Sequence, residues 1–524
     1  MVKLGLEVAL ELDQKDKIIE ASTFLGKFYY EIKDFAESMQ NYNNALAEIE
    51  KIRVRSPEEY KSSYLDNHLA VYNEMVIMYS IVKDYDRMIH TYEMMRSRSL
   101  LDQLYSKKTL DIPVSIVNKI QNILKPNQIV IYFNFIFVNK RNTDLMEITI
   151  IDRNNIQHFS DADNYFMDDG HFANLINKYE LNDGRELIGL YRQAIQNPID
   201  LDYKTLSKDL YTSLIPIELK NYDEIFIVPH IYLGLLPFET LLDENDTFLC
   251  EKFNISYIQS LSVLNQLNQK PQIKYKKPML AFGGVEYEKV ETDFIEPNMD
   301  IFSLRSATEK ALSKDRSIAA LFRNSNDNIR YKNLPHSLKE VKKLKKMMKG
   351  TEIFTGKKAT EKIVKSYSRQ GKLSDFEIIH FSTHAKIDPN VPALSSIILF
   401  PQKSKKGTND GYLSVNEISQ LDMNVNFVNL SACQTGVGKI SVSEGIMGFT
   451  QAFMKAGVNS LSVSLWPILD ESSSEFMVSM YKKVEDGATY SKAINETKRD
   501  FIIGEYGELY KHPFFWAPYV YYGK

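Results

Sequence analysis

The chain has 524 residues, 44% of them apolar and 25% charged, and a formal net charge of −4. That is room for two to four globular domains with their own cores, and the slightly acidic balance gives no electrostatic case for direct nucleic acid binding. Only two cysteines occur, Cys250 and Cys433; they exclude a disulfide framework and a four-cysteine zinc site, and they point to a reducing compartment.

The N-terminus, MVKLGLEVALELDQKDK, places Glu7 and Glu11 where an export signal needs an unbroken apolar core. Residues 1–108 read as helical. In LGKFYYEIKDFAESMQNYNNA (25–45), Leu25, Gly26, Tyr29, Phe35, Tyr42 and Ala45 have the spacing of a tetratricopeptide-like helix pair. Met75, Tyr79, Tyr85, Tyr92 and Met95 repeat it more loosely, and residues 4–16 read as a further helix. About three such repeats are needed to bury their own faces, so this short array should lean on the rest of the protein.

From residue 109 the pattern turns to β-branched and aromatic runs. IVIYFNFIFV from Ile129, MEITIIDR (146–153) and DEIFIVPH (223–230) read as strands. The first of these is interrupted by Asn134 and is half the length of a membrane span, so a cytoplasmic protein without a membrane partner is expected. LGLLPFETLL should turn into a helix at Pro237 and Phe238. A unit 109–272 closes at the linker QKPQIKYKKP.

In 273–524, PMLAFGG is a strand, and residues 286–333 read as a long loop or insertion. Strands are then expected at EIFT (352–355), FEIIHFS (376–382), SIILF (396–400), VNFVNLS (425–431), SLSVSLW (460–466) and PYVYY (518–522). Helices fall between them at SLKEVKKLKKMMK and EGIMGFTQAFMKAG, the lysines from Lys342 to Lys349 forming a solvated face. A hairpin around KSKKGTNDG and a short helix SVNEISQL complete the pattern. Alternation of this kind predicts an α/β fold, a mainly parallel sheet with helices on both faces, after an α-helical region.

In such a sheet the working site lies beyond the carboxyl ends of the strands. FEIIHFS runs into Thr383 and His384; VNFVNLS runs into Ala432 and Cys433. If these strands are neighbours, imidazole and thiol emerge at one rim. His384 could then take the Cys433 proton and return it to a leaving amine. Backbone N–H groups would serve the oxyanion. No acid stands out to orient His384, so a dyad with a backbone carbonyl behind the imidazole is expected. Cys433 could also be a packing residue. A metal site is disfavoured, because His380 and His384 lie on a strand and lack a third ligand. FTGKKAT departs from a phosphate loop, with five residues (351–355) between its glycines, and no G-x-S-x-G elbow occurs. No cofactor is expected.

These blocks together resemble the CHAT peptidases, caspase-like cysteine proteases associated with tetratricopeptide repeats and related to separase. The resemblance is carried by VPHIYLGLLPFETL, ISYIQSLSVL, AFGG, LPHSLKEV, FTGKKATE, IIHFSTHA, LSACQTGVG, SEGIMGFTQAFMKAGVNSLSVSLWPILD and HPFFWAPYVYYG. It implies a caspase-like fold with an inactive half (109–272) beside an active half (273–524). It implies catalytic His384 and Cys433, with the amides of Ala385 and Cys433 as oxyanion donors. Ala385 stands where the family usually has glycine. The resemblance also implies a protein substrate, inactivity until a protein partner binds the helical region, and a role in bacterial antiviral defence or programmed cell death. Related proteases bind a basic P1 side chain with an acid placed like Asp470. The competing expectation for Asp470 is a cap on its own helix, and that for the whole chain is a non-catalytic scaffold.

Overall fold

A computed structural model describes residues 2–56, 61, 64–65, 67–96, 100–101, 115–138, 143–160, 171–196, 203–287, 331–388, 392–402, 409–431, 439–441 and 445–524. The N-terminal part is helical: Val2–Glu11, Lys15–Glu31, Phe35–Arg55, Leu69–Ile81 and Tyr85–Met95. The two-fold repeat is visible in its turns. Lys33 and Lys83 both adopt positive φ (62° and 57°), and the next residues, Asp34 and Asp84, cap the following helices through the amides of Glu37 and Arg87. Gly26 is where small meets large: a Cβ there would lie 2.8 Å from the Tyr42 ring.

The helical part leans on the sheet through buried polar contacts. The Tyr92 hydroxyl donates to Glu147 at 2.5 Å. The Glu93 carboxylate accepts from the amides of Leu261 (3.0 Å) and Ser262 (2.8 Å) and from the Tyr132 hydroxyl (3.1 Å). Arg96 donates to the Phe133 carbonyl and to Asn134 Oδ1.

The strands described are β1 (Gln128–Val138), β2 (Thr143–Asp152), β3 (Ile156–Ser160), β4 (Glu224–Val228), β5 (Asn254–Tyr257), β6 (Lys277–Gly283), β7 (Glu352–Thr355), β8 (Phe376–Ser382), β9 (His384–Lys386), β10 (Ser396–Ile398), β11 (Tyr412–Ser414), β12 (Phe427–Ser431), β13 (Lys439–Ser441), β14 (Gly445–Met447), β15 (Ser460–Ser464) and β16 (Tyr519–Tyr522). Eleven form one sheet, in the order β3-β2-β1-β4-β5-β16-β15-β12-β8-β6-β7. Pairing is parallel except at β3–β2, β2–β1 and β16–β15. Strands from residues 128–257 fill one side and those from 277–522 the other. The last strand, β16, forms the seam, meeting β5 at Tyr257 and Tyr522. β12, β15 and β16 are buried at every position, as strands covered on both faces must be. Helix Pro335–Met347 lies against β6, β7 and β8 and beside helix Asp470–Glu485.

Several expectations need correction. SIILF does form a strand, but β10 belongs to a separate small sheet, β11-β10-β9. Its antiparallel partner β11 closes the hairpin around residues 399–411. Gly445–Met447 is strand paired with β13, so the helix expected from residue 444 begins at Phe449. After Pro237 the expected helix is only a 3-10 turn, Phe238–Thr240, because the backbone returns to the extended conformation at Leu241; a second 3-10 turn, Ile231–Leu235, precedes the proline. Residues 288–330, within the expected insertion, lie outside the described residues. No helix among the described residues is long and apolar enough to cross a membrane.

Candidate active site

β8 and β12 are direct parallel neighbours, with Ser382 opposite Ser431. Their register offset is 431 − 382 = 49, the same as the spacing 433 − 384 = 49 between the cysteine and the histidine. Each candidate residue therefore stands two positions past the last paired residue of its strand. His384 is described; Cys433, with its thiol and amide, lies outside the described residues.

His384 is 3% exposed and opens β9 opposite Ile398. Its ring lies between those of Tyr287 and Tyr331, with centroids at 4.8 and 5.1 Å. The Tyr287 hydroxyl is set between two backbones: it accepts from the His384 N–H (3.1 Å) and donates to the Ile398 carbonyl (2.9 Å). Nε2 of His384 lies 2.9 Å from the carbonyl oxygen of Lys332. A carbonyl can only accept, so Nε2 carries the proton and Nδ1 holds the basic lone pair in the neutral ring. A backbone carbonyl does stand behind the imidazole. Ala385 follows in β9, opposite Ile397.

His380 has a set of partners separate from those of His384. It is fully buried in β8, and its Nε2 lies 2.6 Å from Glu340 Oε1. Its Nδ1 is 2.9 Å from the Asn429 amide of β12 and 3.2 Å from the Tyr481 hydroxyl. The set is self-consistent if Nε2–H donates to Glu340 while Nδ1 accepts. Burial raises the Glu340 carboxyl above its ordinary range, with the His380 hydrogen bond opposing, and holds the Tyr481 phenol well up. The two histidines thus have different partners and do not converge on one point. Among the described residues no group of three or more His, Cys, Asp or Glu could hold a metal.

Asp470 begins helix Asp470–Glu485 but does not cap it; Leu469 occupies that position. Its carboxylate caps another helix instead, accepting from the amides of His336 (2.8 Å) and Ser337 (3.0 Å) at the start of Pro335–Met347. Sequence reasoning missed this contact, and it missed Glu340. Glu340 had a signal: it falls with Ser337, Val341, Leu344 and Met348 on the one buried stripe of a lysine-rich helix. The lysines 342, 343, 345, 346 and 349 are exposed, as expected. Cys250 is buried, its thiol pushed up to about 12 by desolvation, and has the character of a packing residue.

A family model described as the CHAT domain matches residues 204–524, more than half of the chain. Curated relatives include tetratricopeptide repeat protein 28 of Homo sapiens, 27% identical over 108 residues, and that of Mus musculus, 26% identical over 108 residues. Each match spans 21% of this chain and 4% of the relative's length. Among solved structures, the Saccharomyces cerevisiae separase–securin complex aligns at TM-score 0.44 and 11% identity, covering 92% of this chain and 37% of that one. The Arg-specific cysteine proteinase gingipain R aligns at TM-score 0.36 and 10% identity, covering 66% and 75%.

Proposed function

The chain belongs to the CHAT domain family, and from that premise we propose that it is a cysteine endopeptidase acting through Cys433 and His384. The supporting observation is the shared offset of 49 between β8 and β12, together with the Nε2–H tautomer that the Lys332 carbonyl imposes on His384. In this reading Nδ1 takes the Cys433 proton as sulfur adds to the substrate carbonyl. The amides of Ala385 and Cys433 hold the oxyanion. The C–N bond then breaks, the imidazolium protonates the departing amine, and an acyl-thioester remains on Cys433. Water, deprotonated by the same imidazole, hydrolyses the thioester and restores the thiol.

On this proposal, residues 109–272 are an inert caspase-like half and 273–524 the active half. The substrate is a protein, and a protein partner bound to residues 1–108 relieves inhibition, in antiviral defence or programmed cell death. The buried contacts of Tyr92, Glu93 and Arg96 would carry such a signal into the sheet. The test is to add wild type and Cys433→Ala to a lysate of the source cells and read new protein N-termini by mass spectrometry. Termini made only by wild type support the proposal. Identical sets from both proteins, including after partner proteins are supplied, count against it.

A further inference from the structure

We propose that Asp470 is a positioning residue for the imidazole, acting through the segment 331–337, rather than a binding residue for a basic substrate side chain. This rests on the Cys433–His384 reading.

The start of helix Pro335–Met347 has orphan amides that need acceptors. Its own cap position, Leu334, has no side-chain acceptor. Asp470 supplies both oxygens, one to His336 and one to Ser337, and a carboxylate there also complements the helix dipole. Each oxygen accepts one backbone amide, so half of the acceptor capacity of the carboxylate is taken up by the helix start.

The same helix start is bolted to the sheet. The Ser337 hydroxyl donates to the Ser382 carbonyl at 2.5 Å and accepts from the Gly284 amide at 2.9 Å. Ser382 is the last residue of β8, two before His384. A Cβ on Gly283 or Gly284 would strike this helix, at 2.7 Å from Val341 and 2.6 Å from Leu338, so the approach admits only glycine.

Lys332 precedes the helix by three residues, and its carbonyl fixes the His384 tautomer. Tyr331, next to it, packs on the ring at an interplanar angle of 31°. The chain of contacts therefore runs from Asp470 to the amides of 336 and 337, through the backbone to Lys332, and to Nε2 of His384. Without the carboxylate the first turn of the helix loses its acceptor. The Lys332 carbonyl then loses its fixed direction, and Nδ1 is no longer held as the base.

The test reads thiol ionisation without any substrate. Full-length protein is alkylated with iodoacetamide across a pH series, and the rate at Cys433 is followed by peptide mass spectrometry. The variants are wild type, His384→Ala, Asp470→Ala, Asp470→Asn and Glu475→Gln. The last removes the exposed Lys343–Glu475 pair (3.3 Å) between the same two helices and controls for mere loosening. The proposal predicts that His384→Ala moves the Cys433 profile toward an ordinary thiol pKa of about 8.5. Asp470→Ala should move it the same way and slow alkylation at neutral pH by roughly threefold or more. Asp470→Asn should fall between, and Glu475→Gln should match wild type. An Asp470→Ala profile that overlays wild type while His384→Ala shifts would overturn the proposal and leave the dyad standing, as a role confined to substrate binding requires. An unshifted His384→Ala profile would overturn the dyad and the proposal with it. If Asp470→Ala loses its fold by circular dichroism, Asp470→Asn decides on the same criterion.

Discussion

Glu340 and His380 meet at 2.6 Å with both side chains at most 1% exposed. The pair joins helix Pro335–Met347 to β8, and Asn429 extends it to β12, so it fastens together the two strands that run into His384 and Cys433. Glu340→Ala leaves the His380 N–H without an acceptor in a dry core and should cost about 3 kcal/mol. Urea unfolding checks this. Glu340→Gln, which keeps an acceptor oxygen, should cost less than half as much as the alanine.

The same residue sets a pH dependence. Burial raises the folded-state pKa of Glu340 above its unfolded value, so in the window between the two the folded chain binds more protons. Stability from this group is therefore full below the unfolded pKa of about 4.3 and is lost as pH rises through the folded value. Glu340→Gln cannot titrate and should remove that part of the slope from a urea-stability profile. An unchanged slope would exclude Glu340 as its source.

His512 should act at the other sign. Desolvation pushes its imidazole down to about 4, while Nδ1 accepts from the Phe514 amide. Its folded pKa is depressed, so the unfolded chain takes up the proton first and stability falls as pH drops from about 6.5 toward 4. The loss should be at most about 3 kcal/mol, reduced by the partial exposure of the ring. His512→Asn, which keeps an acceptor for the cap, should flatten this acid limb in thermal or urea melts.

Glu93 is the clamp between the helical region and the sheet. Its two oxygens cap helix Leu261–Gln269 from 168 residues away. Glu93→Ala strands two buried amides and should destabilise by about 3 kcal/mol. Hydrogen exchange at Leu261 and Ser262 should accelerate by about tenfold or more, since these amides lose their acceptor. Exchange at those two sites unchanged from wild type would show that the cap is not holding them.

What could be read from the sequence was local. FEIIHFS gave β8 with the right ends, because β-branched and aromatic residues bounded by a serine and threonine leave little choice of period. That β8 and β12 are neighbours, with an offset equal to the spacing of 384 and 433, could be expected from the alternation of strands and helices. The strands that escaped were short or in small sheets, such as β9 and β14, where three residues carry no period. Asp470 looked like a local cap because Ser472, Ser473 and Ser474 follow it, yet its partners lie more than 130 positions away. Tyr287 and Lys332 were invisible for the same reason: a hydroxyl between two strands and a main-chain carbonyl leave no mark in sequence spacing. Glu340 was legible in principle from its place on the buried stripe, but the lysines around it drew the eye to the solvated face.

The pairing of Cys433 with His384 is the central claim, and a mutant cycle on cleavage tests it most directly. The rate of appearance of one wild-type-dependent protein N-terminus would be measured for wild type, Cys433→Ala, His384→Ala and the double variant. Residues that act as a unit give non-additive losses. The prediction is that each single variant and the double lose activity alike, by about a thousandfold or more. A His384→Ala protein that cleaves at close to the wild-type rate, or a double variant whose loss is the product of the two single losses, would contradict it.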